Sequence, residues 1–327
     1  MIMPDKKFSS TIGSQIEAFI QQKRAVGYPY HTSEQILLRF DRMIAEKFQQ
    51  ETTITKSMYS AWIEASPAEH PNSLQRRLTP VRQLGKYMNG LGKGAYILPG
   101  HIPHKQIKYE AHVYTQNELK AFFNAIDQCP PSPFSPTRQY VIPVIFRVLY
   151  CCGLRPSEAR CLEMRDIDLK TGKIQIRESK GWKERIVYMS QDLLEVCQDY
   201  NAIVKKMLPG RRAFFPNKNG GCFSISTLCC WFHEFWDRLP EANVAKGSSP
   251  RVNDFRHVYA VDRLNRWITE EEDINALCLY LSEYMGHCRY AHTDYYLSLV
   301  TSFYPEMERR LSDVNEDILP EVHDEEE

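Results

Sequence analysis

A stretch rich in glycine, proline, histidine and lysine interrupts this chain about a third of the way along its length. It covers residues 92–114 and includes Gly-Lys-Gly-Ala-Tyr-Ile-Leu-Pro-Gly-His-Ile-Pro-His-Lys. Glycine and proline disfavour regular structure, and the prolines make such a segment stiffer than a Gly/Ser tether. The stretch therefore predicts a linker between two domains, and 327 residues are enough for a core in each.

Residues 1–91 have the pattern of a small helical domain without a convincing strand. Ser10 or Thr11 is a candidate cap for the first helix. Three further helices are expected where apolar residues recur at helical spacing. They cover residues 32–48, 56–65 and 72–90.

The polar side expected for the fourth helix is basic. Its basic residues are Arg76, Arg77, Arg82 and Lys86. A helix that faces the phosphates of a nucleic acid carries such a side, and so does an ordinary solvated helix. We take the four residues as candidate DNA-binding residues, with solvated charge as the alternative.

The second domain is expected to cover residues 115–312. Thr115 and Glu118 have the spacing of a capping box at the start of its first helix. Two segments, 173–178 and 184–188, have the period of a β-hairpin, and the chain after Asp192 has a mainly helical pattern. The predicted fold is mainly α with a small β-hairpin sheet, in two domains: a helical N-terminal domain and a mixed α/β domain.

The formal net charge of zero hides an uneven distribution. Residues 313–327 contain eight acidic residues and no lysine or arginine, which leaves 41 basic against 33 acidic residues in the rest of the chain. A basic body with an acidic tail favours a polyanionic partner. The alternative for the tail is a solvated chain end.

Ten cysteines occur without any Cys-x-x-Cys pair, and some form adjacent doublets. Zinc sites need gaps of two to four residues, so we expect buried thiols and no metal. No apolar run approaches the ~20 residues of a membrane helix. The first residues lack the apolar core of a secretory signal, so a cytoplasmic location is expected.

The second domain contains side chains suited to chemistry on a phosphodiester. They are Arg155, Lys180, Arg256, His287 and Tyr296. Guanidinium groups stay charged and bind phosphate oxygens through two N–H groups at once. Fixed cations would stabilise the negative charge that accumulates as a tyrosine attacks phosphorus, and a turn lysine can protonate the departing sugar oxygen. Glu158 can hold Arg155, although a purely structural Arg–Glu pair is the alternative.

The order of these motifs resembles that of the tyrosine recombinase (phage integrase) family. Gly-Leu-Arg-Pro-Ser-Glu at 153–158 resembles its first arginine motif, and Lys-Gly-Trp-Lys-Glu-Arg at 180–185 resembles its hairpin lysine motif. Phe-Arg-His at 255–257 is similar to its second arginine motif. Met-Gly-His at 285–287, with Tyr296 nine residues later, resembles its closing motif.

The resemblance implies that the two arginines clamp the scissile phosphate. Lys180 would be the general acid, with Lys183 as an alternative. Tyr296 would form a 3′-phosphotyrosyl link, with Tyr295 as a weaker alternative. His287 would donate a hydrogen bond to the phosphate.

Asn253 departs from the family pattern, which most often has histidine three residues before the second arginine. An amide donates a hydrogen bond but cannot carry a proton, which puts general-base assistance to the tyrosine in doubt. His257, directly after the second arginine, matches a residue that often assists the family's site.

The resemblance further implies a site-specific DNA recombinase or integrase that cuts and rejoins double-stranded DNA as a homotetramer. No cofactor is expected, because the phosphotyrosine keeps the bond energy. Two alternatives are a DNA-binding protein with weakened cleavage and a relaxing enzyme like a type IB topoisomerase. The need for an accessory DNA-bending or directionality protein stays open, as does the choice between moving a mobile element, inverting a segment and resolving dimers.

Overall fold

The computed structural model describes residues 8–67, 69–99, 111–177, 184–243, 249–287 and 296. The chain divides into two compact units, Met1–Tyr109 and Glu110–Glu327. The finer limits expected from the sequence, with a linker at 92–114 and a tail from 313, stay predictions. Among the described residues, no helix is both long enough and apolar enough to cross a membrane.

The first unit contains the four helices that apolar spacing predicts. They are α1 (Gly13–Ala25), α2 (His31–Lys47), α3 (Lys56–Glu64) and α4 (Pro71–Gly90). Their apolar faces form one core, in which Phe40 packs edge-on against Trp62 with ring centroids 5.3 Å apart. The unit is therefore stabilised by burial of helix faces, as the 3.6-residue period requires.

The predicted caps of α1 are wrong. The N-cap residue is Ile12, which gives no side-chain hydrogen bond to the helix. The backbone N–H groups of Ser9 and Ser10 instead donate to Asp41 on α2, at 2.7 and 3.2 Å. The buried Asp41 carboxylate needs donors, and the chain entering α1 supplies them.

The second unit is mainly helical, and the predicted fold class is confirmed. Its α-helices are α5 (Gln116–Asp127), α6 (Arg138–Cys152), α7 (Pro156–Arg160), α8 (Gln191–Met207), α9 (Ile225–Trp236), α10 (Asp254–Thr269) and α11 (Ile274–Met285), with 3₁₀ turns at Met164–Asp166 and Pro240–Asn243. The predicted capping box of Thr115 and Glu118 is present at the start of α5.

The hairpin is part of a three-stranded antiparallel sheet. Its strands, in spatial order, are β1 (Ile167–Asp168), β2 (Lys173–Ile176) and β3 (Arg185–Tyr188). In the register of β2 and β3, Ile176 pairs with Arg185 and Lys173 with Tyr188. The first strand was not expected, because two residues are too few for a visible alternation.

Two buried clusters organise the second unit. The larger one contains Phe122, Phe146, Phe232 and Phe255, which bring α5, α6, α9 and α10 together. The smaller cluster joins α10 and α11, and Tyr296 belongs to it. A residue far along the chain is thus packed beside the helix that carries Arg256.

The expectation of buried cysteines is wrong for several described residues. Cys152 is buried, whereas Cys151, Cys161, Cys222 and Cys230 are exposed. Adjacent residues on a helix point about 100° apart, so both members of a doublet rarely face one core. No group of three or more His, Cys, Asp or Glu side chains among the described residues could hold a metal ion.

Candidate active site

Arg155 directly follows the turn that ends α6. Gly153 at this turn has φ 59°, and a Cβ there would lie 2.5 Å from Cδ1 of Tyr259. Only glycine fits that conformation and that space without strain. Arg155 is the N-cap residue of α7, and its backbone N–H donates to Oε2 of Glu158 at 2.9 Å. The turn and the cap together fix where the Arg155 side chain begins.

Glu158 holds two arginines with one carboxylate. Nη1 of Arg155 donates to Oε1 at 2.7 Å, and Arg185 donates to both oxygens at 2.9 and 2.7 Å. Burial acts to raise the pKa of the Glu158 carboxyl. The hydrogen bonds and charge of Arg185, with the bonds from Arg155, outweigh burial and lower this pKa to about 2. The carboxylate is therefore ionised at any working pH.

Arg256 lies in the first turn of α10, where only 3% of its surface is exposed. Its Nη1 donates to the Gly153 carbonyl at 2.7 Å, and its Nη2 donates to the Met285 carbonyl. Burial and the nearby charge of Arg155 lower the pKa of Arg256 to about 10. The guanidinium still carries its charge at neutral pH.

The end of α11 receives both arginines. Nη2 of Arg155 donates to the Gly286 carbonyl at 2.8 Å, next to the Met285 carbonyl that Arg256 binds. The last carbonyls of a helix lack intrahelical partners and carry partial negative charge, which favours cations. Gly286 has φ 62°, which lets the chain turn sharply here. The closing motif thus positions both arginines of the site.

His287 and Tyr296 lie beside this arginine pair. Both are buried, and their rings stack with centroids 5.7 Å apart. The ring of His257, one residue after Arg256, lies 5.4 Å from the Tyr296 ring on a tilted plane. Arg155 and Arg256 both bind the end of α11. The fold therefore brings together five predicted site residues: Arg155, Arg256, His257, His287 and Tyr296.

Asn253 is exposed at the start of α10, and its Nδ2 lies 3.0 Å from Nε2 of His257. Desolvation lowers the pKa of His257 to about 4, with further contributions from the charges of Arg256 and Arg251. A neutral Nε2 accepts a hydrogen bond from an amide N–H. Asn253 is thus placed to act on the site through His257.

The candidate lysines lie outside the described residues. Lys180 and Lys183 stand between β2 and β3 in the sequence, where the described chain ends at Arg177 and resumes at Glu184. Tyr295 also lies outside them. The general-acid assignment and the choice of tyrosine stay predictions.

Arg185 is the residue of this site that sequence reasoning missed. Its side chain is 7% exposed although arginine is usually a surface residue. It has the same strand parity as Val187, which is fully buried, so alternation along β3 turns both inward. An arginine on the inward face of a strand requires a carboxylate partner, and that parity could have identified it.

The four candidate DNA-binding residues of α4 do not share one surface. Arg76 and Lys86 are exposed, and Arg82 is partly buried. The prediction that Arg77 faces DNA is wrong, because Arg77 is buried. It donates to Glu69 at 2.8 Å and to the Trp62 carbonyl, and it covers the Trp62 ring. Its charge is satisfied inside the unit, so Arg77 is not on the polar side of α4.

The fold of this chain is similar to those of solved recombinase and integrase structures. The chain shares its fold with the recombinase XerH bound to palindromic difH in a post-cleavage complex, at TM-score 0.62 and 18% identity, covering 90% of this chain and 83% of that one. It shares it also with the Tn1549 transposon integrase in complex with transposon right end DNA, at TM-score 0.61 and 13% identity, covering 91% and 99%. The fold is that of a site-specific recombinase.

Residues 112–301, more than half of the chain, match the phage integrase family. A putative integrase/recombinase of Sinorhizobium fredii, y4rB, is 25% identical over 92% of this chain and 97% of its own length. The tyrosine recombinase XerD of Vibrio cholerae is 25% identical over 63% of this chain and 66% of its own. The chain belongs to the phage integrase family of tyrosine recombinases, enzymes of site-specific DNA cleavage and joining.

Proposed function

We propose that this protein cuts and rejoins double-stranded DNA at specific sites through a covalent bond between Tyr296 and a 3′ phosphate. The Tyr296 oxygen would attack phosphorus, and the bond to the 5′ oxygen would break. Lys180 would give a proton to the departing oxygen, and the phenol proton would pass to water, to His257 or to the phosphate.

The observation that carries this proposal is the meeting of Arg155 and Arg256 at the end of α11, beside His287 and Tyr296. A guanidinium has five N–H groups, and the described side-chain bonds of each arginine leave some for a phosphate. Two fixed cations would stabilise the charge that develops on the non-bridging oxygens. His287 would add a neutral or charged donor.

A cleft next to Arg155 supports a DNA partner. It has a volume of about 360 Å³, and its charged lining consists of five arginines (Arg155, Arg160, Arg165, Arg177 and Arg212) and three carboxylates (Glu158, Glu163 and Asp166). The side chains of Arg165 and Arg212 are 71% and 82% exposed, although both contact Glu163. Exposed guanidinium groups beside the site would bind the phosphates that flank the scissile one.

The proposed assembly is a tetramer on DNA. The λ integrase tetramer bound to a Holliday junction has the same fold, at TM-score 0.52 and 14% identity, covering 77% of this chain and 72% of that one. Exchange of strands between two duplexes needs four cuts, so four copies of a one-tyrosine site would supply them.

The test uses a pool of randomised duplexes, each with a nick just beyond the position to be cut. A short fragment then diffuses away after cleavage and leaves the adduct trapped. We expect the protein to form an adduct that survives denaturant, with tyrosine on the 3′ phosphate, and one family of sequences to be enriched in it. Tyr296→Phe should bind the selected duplex and form no adduct, because only the nucleophilic oxygen is lost.

Tyr295→Phe is the matched control and should keep substantial adduct formation. An adduct lost in Tyr295→Phe and kept in Tyr296→Phe would reassign the nucleophile. Absence of any adduct from the unaltered protein would overturn the proposal in favour of DNA binding alone. Relaxation of plasmids without any enriched sequence would favour topoisomerase-like activity.

A further inference from the structure

Arg185 occupies a buried position that the proposed reaction does not yet use. It opens β3, and its guanidinium donates to both oxygens of Glu158, at 2.9 and 2.7 Å. The side chains of Glu158 and Arg185 are 5% and 7% exposed. A two-nitrogen contact out of water holds its partners in one geometry far more firmly than an exposed ion pair does.

Arg185 also contacts the segment that receives Arg155. A Cβ added at Gly286 would lie 3.1 Å from Nη1 of Arg185, so the Arg185 side chain fills the space beside this glycine. Arg155 donates one nitrogen to Glu158 and the other to the Gly286 carbonyl. Arg185 therefore packs against both groups that orient the Arg155 guanidinium.

Sharing Glu158 limits how Arg155 can bind it. Arg185 occupies both oxygens, and Arg155 adds one side-chain bond to Oε1. Without Arg185, the buried carboxylate would have one cationic partner, and a side-on pair with two bonds to Arg155 would be its best compensation. That pair would turn N–H groups of Arg155 away from the Gly286 carbonyl and from a bound phosphate.

The geometry points to Arg185 as a positioning residue for strand cleavage: it occupies Glu158 so that Arg155 stays aimed at the scissile phosphate. This inference rests on the proposed function. It makes β3 responsible for the orientation of the first arginine. Arg185 itself touches Glu158 and the Gly286 segment and takes no part in the chemistry.

The test measures Arg185→Met on the duplex selected with the unaltered protein. The single-turnover rate of adduct formation should fall about 10- to 100-fold, the worth of a misaligned charge-assisted hydrogen bond. The dissociation constant for DNA, measured with Tyr296→Phe added so that no strand is cut, should change less than about threefold, since many other contacts hold the duplex.

A second substitution separates positioning from simple structural support. Adding Glu158→Gln to Arg185→Met removes the charge that draws Arg155 aside, so the double variant should cleave faster than Arg185→Met alone. Arg185→Lys keeps a buried cation but cannot hold both oxygens, and its rate should lie between those of Arg185→Met and the unaltered protein. If Arg185→Met cannot be purified as a folded protein, the Arg185→Lys variant alone tests the inference.

Arg147→Met is the matched control. Arg147 also donates two nitrogens to one carboxylate, that of Asp127, at 2.7 and 2.7 Å, in a pair that is more exposed, at 28% and 40%. It donates in addition to the Pro143 carbonyl. Its cleavage rate should match that of the unaltered protein even if its melting temperature falls.

Three outcomes would overturn the inference. They are an unchanged rate in both Arg185 variants, an equal loss of rate and DNA affinity, and a double variant no faster than Arg185→Met. An unaltered protein that forms no adduct would instead overturn the proposed function, so the two failures are distinguishable.

Discussion

Arg155 and Arg256 donate hydrogen bonds to the carbonyl oxygens of two consecutive residues, Gly286 and Met285. The two arginines come from motifs about a hundred residues apart, and the end of α11 sets the spacing between them. A change in the position of this helix end would therefore change the position of a phosphate bound by both arginines. The first two residues of the closing motif, the buried Met285 and Gly286, therefore supply the two carbonyls that hold the arginines.

Arg155→Lys and Arg256→Lys should each slow adduct formation by roughly 100-fold, the usual cost of losing one fixed donor to a developing oxyanion. A lysine keeps the charge but cannot bind a carbonyl and a phosphate through one planar group. Single-turnover rates on the selected duplex would measure this, with Arg147→Lys as control. Rates within threefold of the unaltered protein would remove the replaced arginine from the clamp.

Gly153→Ala should destabilise the second unit by at least ~1–2 kcal/mol, the cost of a left-handed backbone with a side chain. The new Cβ would also meet the Tyr259 ring at 2.5 Å, so the turn that carries Arg155 must shift. Chemical denaturation would measure the loss. Gly210→Ala is the control, since no atom lies within 4 Å of a Cβ there. Equal stability of the two variants would contradict the requirement for glycine.

The α4 residues should separate into structural and DNA-binding roles. Arg77→Met should lower the free energy of unfolding by roughly 1–3 kcal/mol, because the buried Trp62 carbonyl and the Glu69 carboxylate lose their donor. Arg76→Gln and Lys86→Gln should leave stability unchanged and weaken DNA binding, each reducing the salt slope by about one. A reduced salt slope in a stably folded Arg77→Met protein would contradict this division.

Arg77 and Arg185 mark the limit of what could be predicted from the sequence: the first was predicted to face DNA and is buried, and the second was not predicted and lies in the site. The motifs and helical periods predicted the fold class and named most residues that the site brings together. Arg77 lies four residues before the buried Val81 and three after Leu74, so it was in the apolar stripe of α4 all along. We assigned Arg77 to the polar face of α4 because it is charged. The pattern of the sequence cannot show that Trp62 and Glu69 lie close enough to Arg77 to bind it. For both arginines, contacts with other segments of the chain determine that the side chain is buried.

His257 should make folding stability depend on pH in a specific window. Its pKa is lowered to about 4 in the folded protein, against an ordinary value of 6.5. Between these values the unfolded chain binds a proton that the folded protein does not, so stability falls as pH drops from 6.5 towards 4, by at most about 3 kcal/mol. Urea denaturation across this range should show a flatter profile for His257→Gln, while His233→Gln should keep the original slope.

Asn253 stands where the family most often has histidine. Its amide lies 3.0 Å from Nε2 of His257, and His257 contacts the ring of Tyr296. Asn253→Ala removes the donor that orients this imidazole and any bond from the amide to a phosphate. We expect cleavage to slow by roughly one to two orders of magnitude, the worth of a charge-assisted hydrogen bond.

Asn253→His should restore or exceed the original cleavage rate and add a pH dependence near neutrality. The imidazole can accept the phenol proton as well as donate a hydrogen bond, which an amide cannot do. Single-turnover adduct formation across pH, on the nicked duplex and for all three proteins, measures both effects. An alanine variant as fast as the unaltered protein would remove Asn253 from the active site, and a histidine variant with a flat pH profile would show that proton transfer does not pass through this position.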